Sequence, residues 1–182
     1  VGEVMAVGRS LWEAIQKGLR MICQGLHGLL CNNVEIADVD AELKHPTDKR
    51  ILDIVKAFEQ GYSIDRIHEI TKIDKWFLFR LENIYRYSDR LKALPSVEAL
   101  DAETFLGAKK LGFSDWQIGT LISGSTGIDS HERGMEVRRR RLALGIRPCV
   151  KQIDTMAGEY PATTNYLISR SEERFSRNAE TD

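Results

Sequence analysis

A short pattern that occurs twice constrains the fold of this chain more than any other feature of its sequence. Gly61-Tyr62-Ser63 and Gly112-Phe113-Ser114 share the order glycine, aromatic residue, serine, and apolar residues stand four and seven positions beyond each serine. Glycine is the usual residue at the left-handed end of a helix, and serine is a preferred first cap of the next one. Each copy therefore predicts a helix that stops and another that starts at once, which indicates two related helical units.

Caps and apolar stripes predict the remaining helices. Ser10 and Glu13 have the spacing of a capping box, and apolar residues recur on one face of the helix that follows. Further helices are predicted after Pro46, Asp74 and Asp101, and a basic helix is predicted from about Ser130 to Leu144. The apolar face expected for the first helix consists of Leu11, Ile15, Leu19 and Ile22. The predicted fold class is mainly α, with the two related helical units in an orthogonal bundle.

The two ends of the chain and one internal stretch lack a helical period. The apolar run 1–7 is typical of a buried strand and is expected to belong to the sheet of a neighbouring domain. Residues 25–45 are predicted to be a connector without helix, and short extended segments follow Pro148. Residues 169–182 are rich in Ser, Arg and Glu and are predicted to be an exposed tail. The fold therefore has short extended flanks at both ends.

Composition excludes several classes of protein. Lys plus Arg number 26 and Asp plus Glu number 27, so the net charge is -1 and a general affinity for polyanions is not expected. No stretch approaches the roughly 18 apolar residues of a membrane helix. The three cysteines include no CxxC pair. We expect a cytoplasmic globular chain without membrane or nucleic-acid partners, and the missing start methionine predicts that it is a piece of a longer polypeptide.

No arrangement of residues in the sequence predicts chemistry within this segment. The four histidines are dispersed, and no His-x-x-x-His pair, phosphate-binding loop or nucleophile elbow occurs. The arginine run 138–141 would point in four directions around a helix, because successive residues are about 100° apart. We predict no catalytic residue, no metal and no cofactor in the segment, and a solvated or salt-bridged arginine run.

One helix carries more apolar residues than a surface helix needs. Two stripes run along the helix after Asp74; one includes Phe77 and the other includes Trp76, Phe79 and Tyr87. These residues either belong to a central core helix or face another domain or subunit. Trp76, Phe77, Phe79 and Tyr87 are the predicted interface residues, and both interpretations stay open at this point.

Four motifs resemble a known family. The run 1–10 with Glu13-Ala14 and 16–20 resembles the segment VGEVMAIGR...E...QKALR of the carbamoyl-phosphate synthetase large chain. Residues 73–78 (IDKWFL) and 112–118 (GFSDWQI) resemble the family's IDxWFL and GFSDxQI, and 150–160 (VKQIDTMAGEY) resembles VKQIDTxAAEY. Order and spacing agree as well, and the resemblance covers about residues 1–168. The sequence resembles the eukaryotic pyrimidine-pathway form of the enzyme more than the bacterial form.

The resemblance implies an oligomerisation domain between two ATP-grasp synthetase units. The parent would be a glutamine-hydrolysing ligase that makes carbamoyl phosphate from bicarbonate, ATP and ammonia, for pyrimidine or arginine biosynthesis. ATP and Mg would bind in the flanking units, a glutaminase subunit or domain would be a partner, and the parent would form a homo-oligomer. Glu3 would line the tunnel between the units, although pairing with Arg9 is an equal alternative.

The resemblance also divides the chain. The implied parts are 1–24 for the end of the first synthetase unit and its following helix, 25–45 for the connector, 46–147 for the helical oligomerisation domain, 148–168 for an extended crossover to the second unit, and 169–182 for the tail. A different interpretation is a free-standing helix-turn-helix regulator that binds DNA through residues 75–86 and 133–141. A third, an enzyme in its own right, has little support without a nucleophile, metal set or phosphate loop.

Overall fold

The computed structural model describes residues 3–22, 24–124, 130–152, 159 and 167–174. This part of the chain is mainly helical, as the sequence predicted. Its elements, in chain order, are α1 (Leu11–Met21), α2 (Val39–Lys44), α3 (Arg50–Glu59), α4 (Ile64–Thr71), α5 (Lys75–Lys92), a 3-10 helix (Val97–Ala99), α6 (Ala102–Lys110), α7 (Asp115–Ser123), α8 (Ser130–Ala143), β1 (Ile146–Gln152) and β2 (Leu167–Arg174). None of the described helices combines the length and the apolar character needed to cross a membrane.

The repeated glycine-aromatic-serine pattern forms the same local structure twice. Gly61 and Gly112 have φ angles of 78° and 84°. In each copy the aromatic residue donates its backbone N–H to the carbonyl five residues earlier, which is the bond of a Schellman helix end. Ser63 and Ser114 then accept the backbone N–H of the third residue of the next helix. The helices α3–α5 and α6–α8 therefore make up the two units that the pattern predicted.

A single apolar cluster runs through both helical units. Its fully buried members include Ile67, Leu78, Ile84, Leu91, Phe105 and Ile118. Because the buried residues of the two units touch one another in one cluster, the units share a core and do not form separate domains.

The connector 25–45 differs from its prediction. It contains α2, whose N-terminus is capped by the side chain of Asp38, and it buries Leu29, Leu30, Val39 and Leu43 in the common core. The expectation that this stretch has no helix was wrong. The reason is length, because a helix of six residues is shorter than the window in which a helical period can be recognised.

Over the described residues both flanks lack helix, in agreement with the predicted extended flanks, but they differ from the prediction in detail. Residues 3–8 do not form a strand, and Val4 and Met5 are exposed, because none of the described strands lies beside them. At the other end, β1 and β2 pair in an antiparallel two-stranded sheet. Strand β2 includes residues 169–174, so the prediction of an exposed tail was wrong for these residues. Pairing with β1 provides hydrogen-bond partners for their backbone groups. Residues 175–182 of the tail, and most of the VKQIDTMAGEY motif, lie outside the described residues.

Candidate interfaces of the helical domain

The side of α1 that faces the second helical unit is polar. Gln16 is fully buried and donates a hydrogen bond from Nε2 to the carbonyl of Leu111 (3.2 Å). Its Oε1 accepts from the backbone N–H of Leu29 (3.0 Å) and from Nε2 of Gln117 (3.2 Å). One side chain therefore joins α1, the connector, the end of α6 and α7.

Gln117 is the counterpart of Gln16 on α7. Its Oε1 accepts from the backbone N–H of Ser114 (3.0 Å), which completes a capping box at the start of α7, and from Nη1 of Arg20 (3.2 Å). The same Arg20 nitrogen donates to the carbonyl of Gly112 (3.0 Å). The contact between α1 and the second helical unit is thus built from directional hydrogen bonds.

Glu13 extends this polar contact to the segment that precedes α1. Ser10 Oγ accepts from the backbone N–H of Glu13 (3.4 Å), while the buried carboxylate of Glu13 accepts from the backbone N–H of Arg9 (3.0 Å). Lys17 pairs with that carboxylate (2.6 Å) and also donates to the carbonyl of Val7 (3.2 Å). We call Glu13, Gln16, Arg20 and Gln117 the polar seam.

Two glycines allow the polar seam to close. Gly28 has a φ of 137°, and a Cβ atom there would collide with the amide groups of Gln16 and Gln117. A Cβ atom at Gly112 would stand 3.0 Å from the Cα of Glu13 and from the Cβ of Gln16. Both positions need glycine because the backbone conformation and the close approach each exclude a side chain.

The sequence interpretation missed the polar seam. It placed Leu11, Ile15, Leu19 and Ile22 on the packed face of α1, but only Leu19 among them is buried. The buried face of α1 is rotated toward Glu13 and Gln16. These polar side chains can be buried because they form hydrogen bonds and ion pairs, whereas a helical wheel counts only apolar residues. One signal in the sequence could have indicated the polar seam: Gln16 and Gln117 both lie within motifs that carry the family resemblance.

A largely buried ion cluster joins α6, α7 and α8. Asp115 pairs with Nζ of Lys109 (2.5 Å) and with Nε of Arg141 (3.0 Å). Lys109 also donates to the carbonyl of Phe113 (3.0 Å), and Arg141 donates to that of Ile146 (3.2 Å). Burial lowers the pKa of the Lys109 ammonium, and the charge of Asp115 opposes this effect. The cluster fixes α6, α7 and α8 relative to one another.

The arginine run on α8 points in different directions, as predicted. Arg140 donates two hydrogen bonds to the carbonyl of Leu100 (3.0 and 2.8 Å), and Arg141 belongs to the ion cluster. Arg138 and Arg139 are exposed. Because two of the four guanidinium groups bind inside the fold, the run does not form a continuous basic surface for phosphate groups.

The start of α5 exposes three large aromatic side chains. Trp76, Phe77 and Phe79 are 49%, 47% and 54% exposed, and the rings of Trp76 and Phe77 meet edge to face, with centroids 5.0 Å apart. We call these three residues the aromatic end. The fourth predicted interface residue, Tyr87, lies elsewhere, since it is partly buried and its hydroxyl donates to the carbonyl of Thr104 (2.8 Å).

Arg80 connects the aromatic end to α1. Its guanidinium carbon lies 4.7 Å from the ring centroid of Trp12 and 4.7 Å from that of Trp76. A guanidinium group near an aromatic face is attracted by the electron density of the ring. The side chain of Arg80 therefore links the first turn of α1 to the exposed rings of α5.

Glu3 lies at the opposite end of α1, in an open groove of about 940 Å³. We call it the α1 groove, and define it by Glu3, Val4, Met21, Ile22, Ile51 and Trp116. His27 stacks on Trp116 with ring centroids 3.6 Å apart, and burial lowers the pKa of its imidazole. Over the described ranges, no group of three or more His, Cys, Asp or Glu side chains is arranged to hold a metal ion.

Comparison with known proteins assigns these elements to a family. Residues 3–145 match the family described as the carbamoyl-phosphate synthetase large chain, oligomerisation domain. The chain belongs to this family. It is 46% identical over 170 residues to the mitochondrial carbamoyl phosphate synthase arginine-specific large chain of Neurospora crassa. It is also 46% identical over 167 residues to the multifunctional protein CAD of Squalus acanthias, and 43% identical over 168 residues to the multifunctional protein URA2 of Saccharomyces cerevisiae.

These matches cover most of this chain but little of the relatives. They include 93% of the chain for the Neurospora protein and 92% for the other two, yet only 14%, 7% and 7% of the relatives' own lengths. The expected family is thereby confirmed. The Neurospora arginine-specific chain and the Squalus multifunctional protein are both 46% identical to this chain, so these identities do not separate the two kinds of relative. Nothing in it supports the DNA-binding alternative.

Proposed function

We propose that this oligomerisation domain works within a large chain that makes carbamoyl phosphate from bicarbonate, ATP and glutamine-derived ammonia. The observation that carries the proposal is the match of residues 3–145 to the family, together with 46% identity to a carbamoyl phosphate synthase chain. Two ATP-grasp synthetase units would flank the domain in the same chain and would bind ATP and Mg. A glutaminase subunit or domain would supply the ammonia, and the domain itself would hold no cofactor.

The polar seam supports the connecting role of the domain. A connector between two catalytic units has to keep them in a fixed relative position, and hydrogen bonds with defined directions restrict that position more than apolar packing does. Gln16 and Gln117 tie α1 to α7 through buried bonds. The polypeptide that leads into α1 is thereby held on the second helical unit.

The aromatic end supports an oligomer contact. Large apolar groups that stay exposed together are typical of protein interaction sites, and aromatic residues are enriched in the centre of such sites. We assign Trp76, Phe77 and Phe79 to a contact with a second copy of the chain, in agreement with the family's description as an oligomerisation domain. Tyr87 is assigned to the packing of α5 on α6 because of its bond to Thr104.

Two finer assignments complete the proposal. Glu3 lines the tunnel between the synthetase units, which its exposed position beside the α1 groove permits. The parent works in the cytoplasm in the pyrimidine pathway, an assignment that rests on the resemblance of the sequence to the eukaryotic pyrimidine-pathway form and not on the identities, which are 46% for both an arginine-specific and a multifunctional relative. Fractionation of cells that produce the tagged parent measures the location, and recovery with mitochondria would contradict it.

A mass measurement on the parent chain tests the oligomer contact. We expect Phe79→Asp to reduce the mass of the assembly in light scattering, because a carboxylate cannot be buried in an apolar contact without a partner. ATP binding by each synthetase unit should persist. Met135→Asp is the matched control, since Met135 is also exposed but lies on α8. Equal masses for the wild-type and Phe79→Asp chains would contradict the contact.

An activity assay tests the chemistry of the parent. The purified parent should release carbamoyl phosphate only when bicarbonate, ATP and a source of ammonia are all present. Radiolabelled bicarbonate that appears in carbamoyl phosphate measures the product directly. A parent that binds ATP but never incorporates the label would contradict the proposed activity.

A further inference from the structure

The exposed face of α5 carries a row of residues at regular spacing. The spacing alternates between three and four positions, and all five members are exposed: Trp76, Phe79, Asn83, Arg86 and Arg90. This alternation keeps side chains on one face of a helix, in the pattern by which two helices pack along a common line. We call these five residues the α5 ridge. It includes two rings of the aromatic end and continues to the last turn of the helix.

The two halves of the α5 ridge differ in chemistry. The half at the start of α5 offers the rings of Trp76 and Phe79, and the half near its end offers the guanidinium groups of Arg86 and Arg90. Guanidinium groups bind the faces of aromatic rings. Asn83 lies midway, seven positions from either end of the ridge, and its amide group both donates and accepts hydrogen bonds. The ridge is therefore complementary to itself when it is reversed about Asn83.

Internal contacts hold both arginines of the ridge in place. Arg86 pairs with Glu82 (2.8 Å) while its side chain stays 71% exposed. Arg90 donates to Oγ1 of Thr104 (3.0 Å), and its guanidinium carbon lies 5.8 Å from the ring centroid of Tyr87. Because the planar guanidinium group has two faces and five N–H donors, each arginine can still receive a ring from a partner.

An open groove of about 540 Å³ borders the α5 ridge on one side. It lies between α5 and the turn from α3 to α4, and its walls include Phe58, Tyr62 and Tyr85 beside Phe79 and Arg86 of the ridge. Two helices pack by placing the side chains of one in the grooves of the other. A helix laid along the ridge would therefore find a row of contacts and a depression next to it.

We propose that the α5 ridge pairs with the same ridge of a second copy, antiparallel and around a two-fold axis near Asn83. The aromatic half of each copy then lies on the basic half of the other. The inference rests on the proposed function, which assigns the aromatic end to a contact between copies, and it names the surface that this end meets. A two-fold contact uses the same patch on both copies, which the reversed ridge satisfies. A parallel arrangement would place arginine against arginine, which is unfavourable.

Recovery of association between two variants of the parent chain tests the pairing. Phe79→Arg puts like charges in contact across the axis, and Arg86→Glu puts a carboxylate on an aromatic ring. Each variant alone should weaken the association of parent chains at least about tenfold. An equimolar mixture should associate within about threefold of the wild type, because the introduced arginine of one chain meets the introduced glutamate of the other. The second half of the ridge keeps its native contact in that mixture.

Energy transfer between differently labelled parent chains measures the association. Arg138→Glu is the matched control for Arg86→Glu, since Arg138 is also exposed but lies on α8, and it should leave the association unchanged. Melting temperatures show whether the variants remain folded. Weak association of both variants without recovery in their mixture would overturn the antiparallel pairing.

Cross-linking near the axis is a second measurement, and it leaves the rings and the arginines intact. Asn83→Cys treated with a short bis-maleimide should link residue 83 of one chain to residue 83 of another. Lys92→Cys is the control, since Lys92 is also exposed on α5 but lies nine positions from Asn83. In an antiparallel pair its two copies are about 27 Å apart at a rise of roughly 1.5 Å per residue, so they should not link. A link at residue 92, or none at residue 83, would overturn the proposal.

Two further readouts on the same preparations separate this inference from the proposed function. A parent that makes carbamoyl phosphate and assembles, but shows neither the recovery nor the link at residue 83, contradicts the α5 pairing alone. A parent that stays a single chain at every concentration contradicts the contact between copies and the pairing with it. A parent that assembles but makes no carbamoyl phosphate contradicts the proposed activity and leaves the pairing to be decided by the link at residue 83.

Discussion

The polar seam and the aromatic end reverse the usual distribution of side chains. The seam buries two glutamines and a glutamate beside the half-buried Arg20, between α1 and the second helical unit, while the aromatic end exposes a tryptophan and two phenylalanines. Buried polar groups are costly unless every one is paired, so they restrict the fold to one geometry. Exposed aromatic rings add nothing to that geometry until a partner covers them. One region therefore restricts the geometry of the fold, and the other is available for the contact between copies that we propose.

The largest expected effect is on the polar seam and comes from one methyl group. Gly28→Ala combines a strained backbone with a collision against the amides of Gln16 and Gln117, and should lower the free energy of unfolding by about 3 kcal/mol. Gly25→Ala is the matched control, because Gly25 also has a positive φ (74°) but open space around its Cα. It should cost about 1 kcal/mol. Urea denaturation of both variants measures the difference, and equal losses would show that the seam is not closely packed.

The second effect tests whether the two glutamines act as a unit. Gln117→Leu leaves the N–H groups of Arg20 and Ser114 without their acceptor, and should cost about 2 kcal/mol. Gln16→Leu should cost a similar amount. The double variant should lose about 1 kcal/mol less than the sum of the two, because their shared bond is counted only once. Chemical denaturation of all four chains gives the coupling energy, and strict additivity would contradict a connected seam.

The third prediction compares two positions of one stripe on α5. Phe77 precedes Leu81 and Ile84 at the spacing of a single helix face, yet only the latter two are buried. Ile84→Ala should lower the free energy of unfolding by about 2 kcal/mol, the lower end of the range for such changes in a core. Phe77→Ala should cost less than about 1 kcal/mol although it removes a larger group, because the ring is half in solvent. Thermal unfolding measures both, and a cost at Phe77 equal to that at Ile84 would place Phe77 in the core.

The stripe also shows what the sequence could predict. Helix ends followed from the sequence because caps and stop signals act within a few residues, as at Ser63, Ser114 and Gly112. A helical wheel cannot tell where the core ends along a helix. The wheel of α5 therefore placed Phe77 with Leu81 and Ile84, and did not show that Leu78 is buried in the first turn while Phe77 beside it is half exposed.

The candidate surfaces were predictable only in part. The aromatic residues at 76, 77 and 79 were named from the sequence, because so many apolar groups exceed what one core face requires. The polar seam was not, since Gln16 and Gln117 are 101 positions apart and their pairing depends on the folded arrangement. The α1 groove was reached only through Glu3, because its walls come from elements that the sequence does not bring together.

The smallest expected effect concerns Arg80, which stands between the seam helix and the aromatic end. Arg80→Met keeps most of the apolar stem but removes the charge between the rings of Trp12 and Trp76, and should cost about 0.5–1 kcal/mol. Arg86→Met is the control, because Arg86 lies on the same helix and pairs at the surface with the nearby Glu82 (2.8 Å). It should cost no more than about 0.5 kcal/mol.

Double-variant cycles then decide whether Arg80 joins the two regions or serves one of them. If the guanidinium group stabilises both rings, Arg80→Met should couple with Trp12→Leu and with Trp76→Leu by similar amounts, near 0.5 kcal/mol each. Coupling to Trp12 alone would make Arg80 a part of the folded core and leave Trp76 independent of it. Coupling to both would mean that the aromatic end and the polar-seam helix α1 are energetically coupled through Arg80. A partner that changes the environment of Trp76 would then also change the stability of α1.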